Sequence, residues 1–203
     1  MPGQKTTLRE AQKQFTSERL KQAALQVFER HGYRDATVDL IANEAGTSRA
    51  TLYLHFEGKS GLLAELAHDT IADDLPVFYG QLDSALVSED PEELRSWVRR
   101  WLAWLEEHRV LIDAADDAAA TRDTKGLVAA GFSDYMPKYR ERWKGHEREA
   151  AVRISFLLML VSSGLRTATR IATVEGEVDD ELVVSMTVDL LSAMLADPPR
   201  KTP

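Results

Sequence analysis

The stretch Thr37-Val-Asp-Leu-Ile-Ala-Asn-Glu-Ala-Gly-Thr-Ser-Arg-Ala-Thr-Leu-Tyr-Leu-His-Phe56 holds the residues whose types and spacing could do chemistry. That chemistry is recognition, not bond making. Thr37 and Ser48 are N-cap types, each followed by one short amphipathic run, and Gly46 between them allows a tight turn. Ile41, Ala45, Leu52 and Phe56 then point inward. Ser48, Arg49, Ala50, Thr51 and Leu54 point outward near the start of the second run, where side chains of this size enter a DNA major groove. Backbone N–H groups at a helix start favour phosphate. Arg49 is the one long donor there, able to take guanine O6 and N7 or a phosphate.

Nothing else in the chain offers a reaction. Cysteine is absent, which removes thiolate nucleophiles and cysteine-ligated metals and suits a reducing cytoplasm. No glycine-rich phosphate loop, G-x-S-x-G elbow or H-E-x-x-H helix occurs. His31, His55, His68, His108 and His146 are scattered, with no pair at helical spacing. The expectation is a protein that is not an enzyme and needs no cofactor or metal. Asp113, Asp116 and Asp117 share a helical face, which reads as a solvated surface more readily than as a cation site. The first twenty residues include Lys5, Arg9, Glu10 and Lys13 and no apolar run, so no signal peptide is expected. The apolar stretch between Arg153 and Arg166 is well short of the ~20 residues of a membrane span. A soluble, cytoplasmic protein is expected.

The net charge of −8 over 203 residues is unevenly spread. Residues 1–60 carry nine Lys and Arg against seven Asp and Glu, a net of +2, and the remainder carries −10. A polyanion is therefore acceptable at the head and not at the body.

The elements that must position these residues read as all-α, because helical spacing recurs and no sustained alternation of period two appears. A first helix is predicted from about Ser17 to His31, with Leu20, Ala23, Ala24, Val27 and Phe28 as its apolar stripe and Gly32 as its stop. Residues 59 to about 88 read as one linking helix that Pro76 could kink. Pro91-Glu92-Glu93 opens another, to about His108, and a shorter one follows to about Arg122. Further helices are predicted over 124–145, broken before Pro137, over 147–174 and over 179–196, giving about nine in all. The predicted organisation is a loose arm over 1–15, a helix-turn-helix head over 16–60, a helical body over 61–197 and a tail over 198–203.

Residues 17–66 resemble the DNA-binding domain of the TetR family of bacterial transcriptional regulators. The resemblance rests on Ala24, Phe28, Gly32-Tyr33, Thr37-Val38, Ile41-Ala42 and Ala45-Gly46-Thr47-Ser48. It continues through Thr51-Leu52-Tyr53-Leu54-His55-Phe56 and Lys59 with Leu62-Leu63. It implies phosphate contacts from Thr37, Tyr53, His55 and Lys59, and base contacts from Thr47, Ser48, Arg49, Ala50 and Thr51. It also implies a homodimer on a palindromic double-stranded operator, a small-molecule effector bound by the body, and most often repression. Leu54 and Gly58 depart from the family pattern. Leu54 removes a backbone contact or adds one to a thymine methyl, and Gly58 changes the stiffness of the loop.

The body carries no motif. Trp97, Trp101 and Trp104 fall on one helical face, and Phe132, Tyr135, Met136 and Tyr139 form a second stripe. With Phe156 they either line a pocket for an apolar or aromatic molecule or simply pack a core. The apolar runs Ile154–Val161 and Leu182–Leu195 must be buried on two faces. Leu157, Val161, Leu165, Met186, Leu190, Leu191 and Met194 are the candidate dimer seam, with burial inside a monomer as the alternative. A second function class stays open beside DNA binding: a helical dimeric protein-interaction module. Salt-sensitive retention on DNA separates the two.

Overall fold

A computed structural model of the chain describes residues 7–71, 73–88, 90–121, 136–161 and 179–193, which form ten helices with no strand among the described residues. They are α1 (Leu8–Asp35), α2 (Val38–Glu44), α3 (Arg49–His55), α4 (Gly58–Ile71), α5 (Asp74–Ser88), α6 (Pro91–Glu107), α7 (Arg109–Ala120), α8 (Pro137–Arg142), α9 (Glu147–Met159) and α10 (Asp180–Ala193). The all-α architecture agrees with the sequence, and the helix count is close to nine. None of the helices is long and apolar enough to cross a membrane, among the described residues. Two compact units emerge: α1–α4 with α7, and α5, α6 and α8–α10. The sequence places the head boundary at residue 60, whereas this grouping keeps α4 and α7 with the first three helices.

In the first unit, α1 begins well before Ser17. The Thr7 hydroxyl accepts from the Glu10 N–H at 3.3 Å, and the Glu10 carboxylate accepts from the Thr7 N–H at 2.7 Å. This reciprocal capping box satisfies two helix-end donors, so residues 8–15 are helical where a loose arm was expected. Leu8 and Phe15 stay exposed on that extension. Gly32, the expected stop, is non-helical at φ +71, and α1 kinks there before a last short stretch to Asp35. The predicted stripe of α1 (Leu20, Ala23, Ala24, Val27 and Phe28) is buried, together with Ile41, Leu52, Phe56, Leu62 and Leu63. Leu111, Ala114 and Ala118 of α7 complete this core. Lys21 of α1 is ion-paired with Asp69 of α4, and Arg34 of α1 with Asp117 of α7 at 3.3 Å. That pairing answers for one member of the aspartate run, and no cluster fit for a metal occurs among the described residues.

The single kinked helix expected over 59–88 is two helices, α4 of the first unit and α5 of the second. Pro76 lies in the first turn of α5, where its missing N–H loses no intrahelical bond, so the break precedes it. Pro91 opens α6 as expected, with the Asp90 carboxylate accepting from the Glu92 N–H at 2.9 Å. Trp97, Trp101 and Trp104 stack along α6 with centroids 5.6 and 5.0 Å apart. Their indole N–H groups donate to the Phe78 carbonyl, the Val161 carbonyl and the Asp74 carboxylate at 2.8, 2.7 and 2.9 Å. Tyr79, Leu82, Tyr139, Trp143 and Ile154 are buried in the same unit. Asp83, 1% exposed, accepts from the backbone N–H groups of Lys138 and Tyr139 at 2.9 and 2.7 Å, capping α8 from α5.

Candidate nucleic-acid interface

The turn between α2 and α3 follows from its residues. The Thr37 hydroxyl accepts from the Leu40 N–H at 3.2 Å and starts α2. The chain then turns through Gly46 at φ +60, and the Thr47 N–H closes onto the Ala42 carbonyl at 2.9 Å. A Cβ on Gly46 would come within 3.1 Å of the Arg19 guanidinium, which itself donates to the Ala45 carbonyl. Arg19 thus staples the turn to α1, a role the sequence did not signal. The Ser48 hydroxyl accepts from the Thr51 N–H at 3.1 Å and starts α3. Leu52 and Phe56 anchor α3 in the core, so its opposite face is outward.

That outward face carries Arg49, Ala50, Tyr53 and Leu54, all exposed, with Ser48 at the helix start. Tyr53 is 51% and Leu54 79% exposed, which leaves two large apolar groups in water beside a cation. Thr37 is also exposed; Thr47, Thr51 and His55 are half-buried. Thr51 shares a hydroxyl contact of 2.9 Å with Ser48, so both side chains work in the cap as well as facing outward. His55 lies against Phe56, ring centroids 6.1 Å apart.

Arg49 is held from two sides. Its Nη1 donates to the Asp39 carboxylate at 3.3 Å and its Nη2 to the Tyr53 hydroxyl at 3.5 Å, with the guanidinium 5.6 Å from the Tyr53 ring centroid. Tyr53 first, and Asp39 after it, push the Arg49 pKa further up, so the group stays cationic. Asp39 was not among the sequence candidates. Its only signal is an acid in the first turn of α2, a common helix-start residue.

Lys59, expected among the phosphate contacts, is engaged within the first unit. Its half-buried ammonium donates to the carbonyls of Tyr33 and Ala36 at 2.6 and 2.9 Å and sits 4.1 Å from the Tyr33 ring centroid. It fastens the start of α4 to the turn that ends α1.

The body candidates divide. Trp97, Trp101, Trp104, Met136 and Tyr139 are buried, whereas Phe156 is 58% exposed. Phe132 and Tyr135 lie outside the described residues. A cavity of about 630 Å³ lies along α5 and α6, lined among others by Val77, Ala85, Gln81, Ser96, Trp97 and Arg100. Of the expected pocket residues that are described, only Trp97 lines it. Along the expected dimer seam, Leu157, Val161 and Leu191 are wholly buried within the chain. Met186 and Leu190 are exposed, and Leu165 and Met194 lie outside the described residues.

Residues 20–66 match the family model of bacterial regulatory proteins of the tetR family. Over 70 residues the chain is 40% identical to the HTH-type transcriptional regulator SrpR of Pseudomonas putida, covering 32% of this chain and 33% of that one. Over 98 residues it is 30% identical to the HTH-type transcriptional repressor SCO4008 of Streptomyces coelicolor, covering 48% and 46%. The chain thus spans a third to a half of the curated relatives it matches. A solved structure described as a TetR-family transcriptional regulator, from Mesorhizobium loti MAFF303099, superposes with a TM-score of 0.58 at 20% identity, over 91% of this chain and 96% of that one. That likeness extends the shared fold past the head. Residues 20–66 thus carry the amino-terminal region of the tetR family of bacterial regulatory proteins, and the likeness to the solved regulator is one of fold.

Proposed function

We propose that the chain is a DNA-binding transcriptional regulator that reads double-stranded operator DNA with α3. The observation that carries this reading is the outward face of α3. It is a helix anchored by Leu52 and Phe56, started by Ser48, and presenting a cation, an alanine and a tyrosine at the width of a major groove. Relatives named as transcriptional regulators support the same reading. Affinity selection of bound fragments from genomic DNA, followed by binding at several salt concentrations, tests it. A selected sequence bound with a steep salt dependence supports it. Equal, weak binding to every fragment counts against it and in favour of a protein-interaction module.

The regulator acts as a homodimer on a palindromic site. Val152 and Phe156 on α9, and Leu182, Met186 and Leu190 on α10, are large apolar side chains more than half exposed. They recur at i, i+4 and i, i+4, i+8, so each helix offers one stripe. Stripes of this kind on two helices fit burial against a second copy.

The regulator is a repressor released by a small molecule taken up in the second unit. The cavity along α5 and α6 supports this reading, with apolar walls from Val77, Ala85 and Trp97 and polar groups from Gln81, Ser96 and Arg100. Calorimetric titration of amphipathic aromatic compounds, with and without the selected fragment, is the test. Linkage requires that DNA weaken the effector by the factor by which the effector weakens DNA. A ligand bound equally in both conditions is not the effector.

A further inference from the structure

The ion pair between Asp39 and Arg49 spans two helices at the face read here as the DNA interface, and stability does not account for it. Both side chains are exposed, and an exposed pair of this kind contributes little to folding. Its effect must be on where the guanidinium points. An arginine on a helix surface has many rotamers, and each is lost on binding a fixed target.

Here the rotamers are limited before any target arrives. Asp39 takes one N–H of Nη1 from the α2 side, and Tyr53, one turn along α3, takes one N–H of Nη2. Guanidinium has five N–H donors. Three therefore remain, more than the two that a bidentate partner such as guanine O6 and N7 requires. The carboxylate acts a second time by charge. It cancels part of the arginine's attraction for the nearest phosphates and itself repels them, which disfavours the backbone contact that an unrestrained arginine would make.

We propose that Asp39 is a positioning residue for Arg49, which it holds as a reader of one base pair and keeps from serving as a general phosphate contact. This rests on the reading of α3 as the DNA-binding helix and goes beyond it, since it assigns a specificity-determining role to an acidic residue on the other helix of the motif.

The experiment uses the full chain and the fragment it selects. Single-base variants of the site are titrated with wild type, Arg49→Ala, Asp39→Ala and the double variant Asp39→Ala/Arg49→Ala, each over a series of salt concentrations. Wild type should discriminate at one base pair by roughly 5- to 150-fold, the range one bidentate contact spans. Arg49→Ala should abolish that discrimination. Asp39→Ala should reduce it while tightening binding to unrelated DNA, with the salt slope steeper by about one unit as the released guanidinium neutralises one more phosphate. In the Arg49→Ala background, removing Asp39 should change neither the preference nor the slope by more than the loss of one repelling charge. Asp39→Asn, which keeps the shape and removes the charge, provides the same comparison should Asp39→Ala fail to fold. Unchanged base preference and salt slope in Asp39→Ala or Asp39→Asn would overturn the proposal. So would an equal effect of Asp39→Ala with and without Arg49. Wild type that selects no sequence at all overturns the DNA-binding reading, and with it this one.

Discussion

The ammonium of Lys59 lies 4.1 Å from the centroid of the Tyr33 ring and donates to the carbonyls of Tyr33 and Ala36. Hydrogen bonds from a charged donor to half-buried carbonyls stabilise by about 1.5–3 kcal/mol. Lys59→Ala is therefore expected to lower the stability of the first unit by about that amount in urea unfolding. The salt slope of DNA binding should stay within a fraction of a unit of wild type. A slope reduced by about 0.9 with stability unchanged would place the ammonium on a phosphate instead.

Acid stability should depend on Asp69. Its hydrogen bond from Lys21 is the main reason its carboxyl lies below the usual range, with partial burial acting the other way. A carboxyl depressed in the folded state stabilises above its unfolded pKa, about 3.9, and that stability is lost as the pH falls through the lower folded value. Asp69→Asn should melt below wild type at pH 7, and the gap should close as the pH drops under about 4. Thermal melts from pH 2 to pH 7 check this. A gap that is constant over the range would remove the ion pair from the account.

Asp83 is the anchor of α8. Asp83→Ala leaves the N–H groups of Lys138 and Tyr139 without their acceptor, and Tyr139 is fully buried. Leaving a buried donor unmatched costs about 1–3 kcal/mol. Asp83→Asn keeps one acceptor oxygen and turns an amide N–H toward the other donor, so it should lie between wild type and alanine. Equal stability of all three proteins in denaturant unfolding would show that α8 holds by packing alone.

The apolar stripes of α9 and α10 give a prediction about mass. The wild type should scatter light as twice 22.7 kDa. Met186→Glu with Leu190→Glu should yield folded protein of single-chain mass, since both positions are exposed in the chain itself. Val161→Asp and Leu191→Asp should instead unfold the second unit, because each places a lone carboxylate in the core. A double glutamate variant that still scatters as a dimer moves the contact elsewhere.

The head was legible because its signals are local. Thr37, Gly46 and Ser48 declare two starts and a turn by residue type alone, and the stripe from Leu20 to Phe28 declares the face on which they rest. The start of α1 was equally local, in Thr7-x-x-Glu10, yet Leu8 and Phe15 are exposed and no apolar period reaches that far. Capping sustains that extension where burial does not. The tasks of Asp39, Arg19 and Lys59 were not legible. Each depends on a distance across a turn, and spacing along the chain says nothing of where a carbonyl or a guanidinium arrives. Leu157 and Val161 stayed open between seam and core for a related reason: an all-apolar run shows that a helix is buried, not which neighbour buries each face.

The tryptophan stack has an optical consequence. All four tryptophans, Trp97, Trp101, Trp104 and Trp143, belong to the second unit, while Tyr33 and Tyr53 are the large chromophores of the first. Indoles stacked 5.0 and 5.6 Å apart couple their transitions, so near-ultraviolet circular dichroism carries a signature of α6 in place. Excitation at the red edge of the protein band sees the second unit alone. Each unit thus reports its own melting without a label, and a molecule that loosens one while leaving the other intact declares itself in a single spectrum.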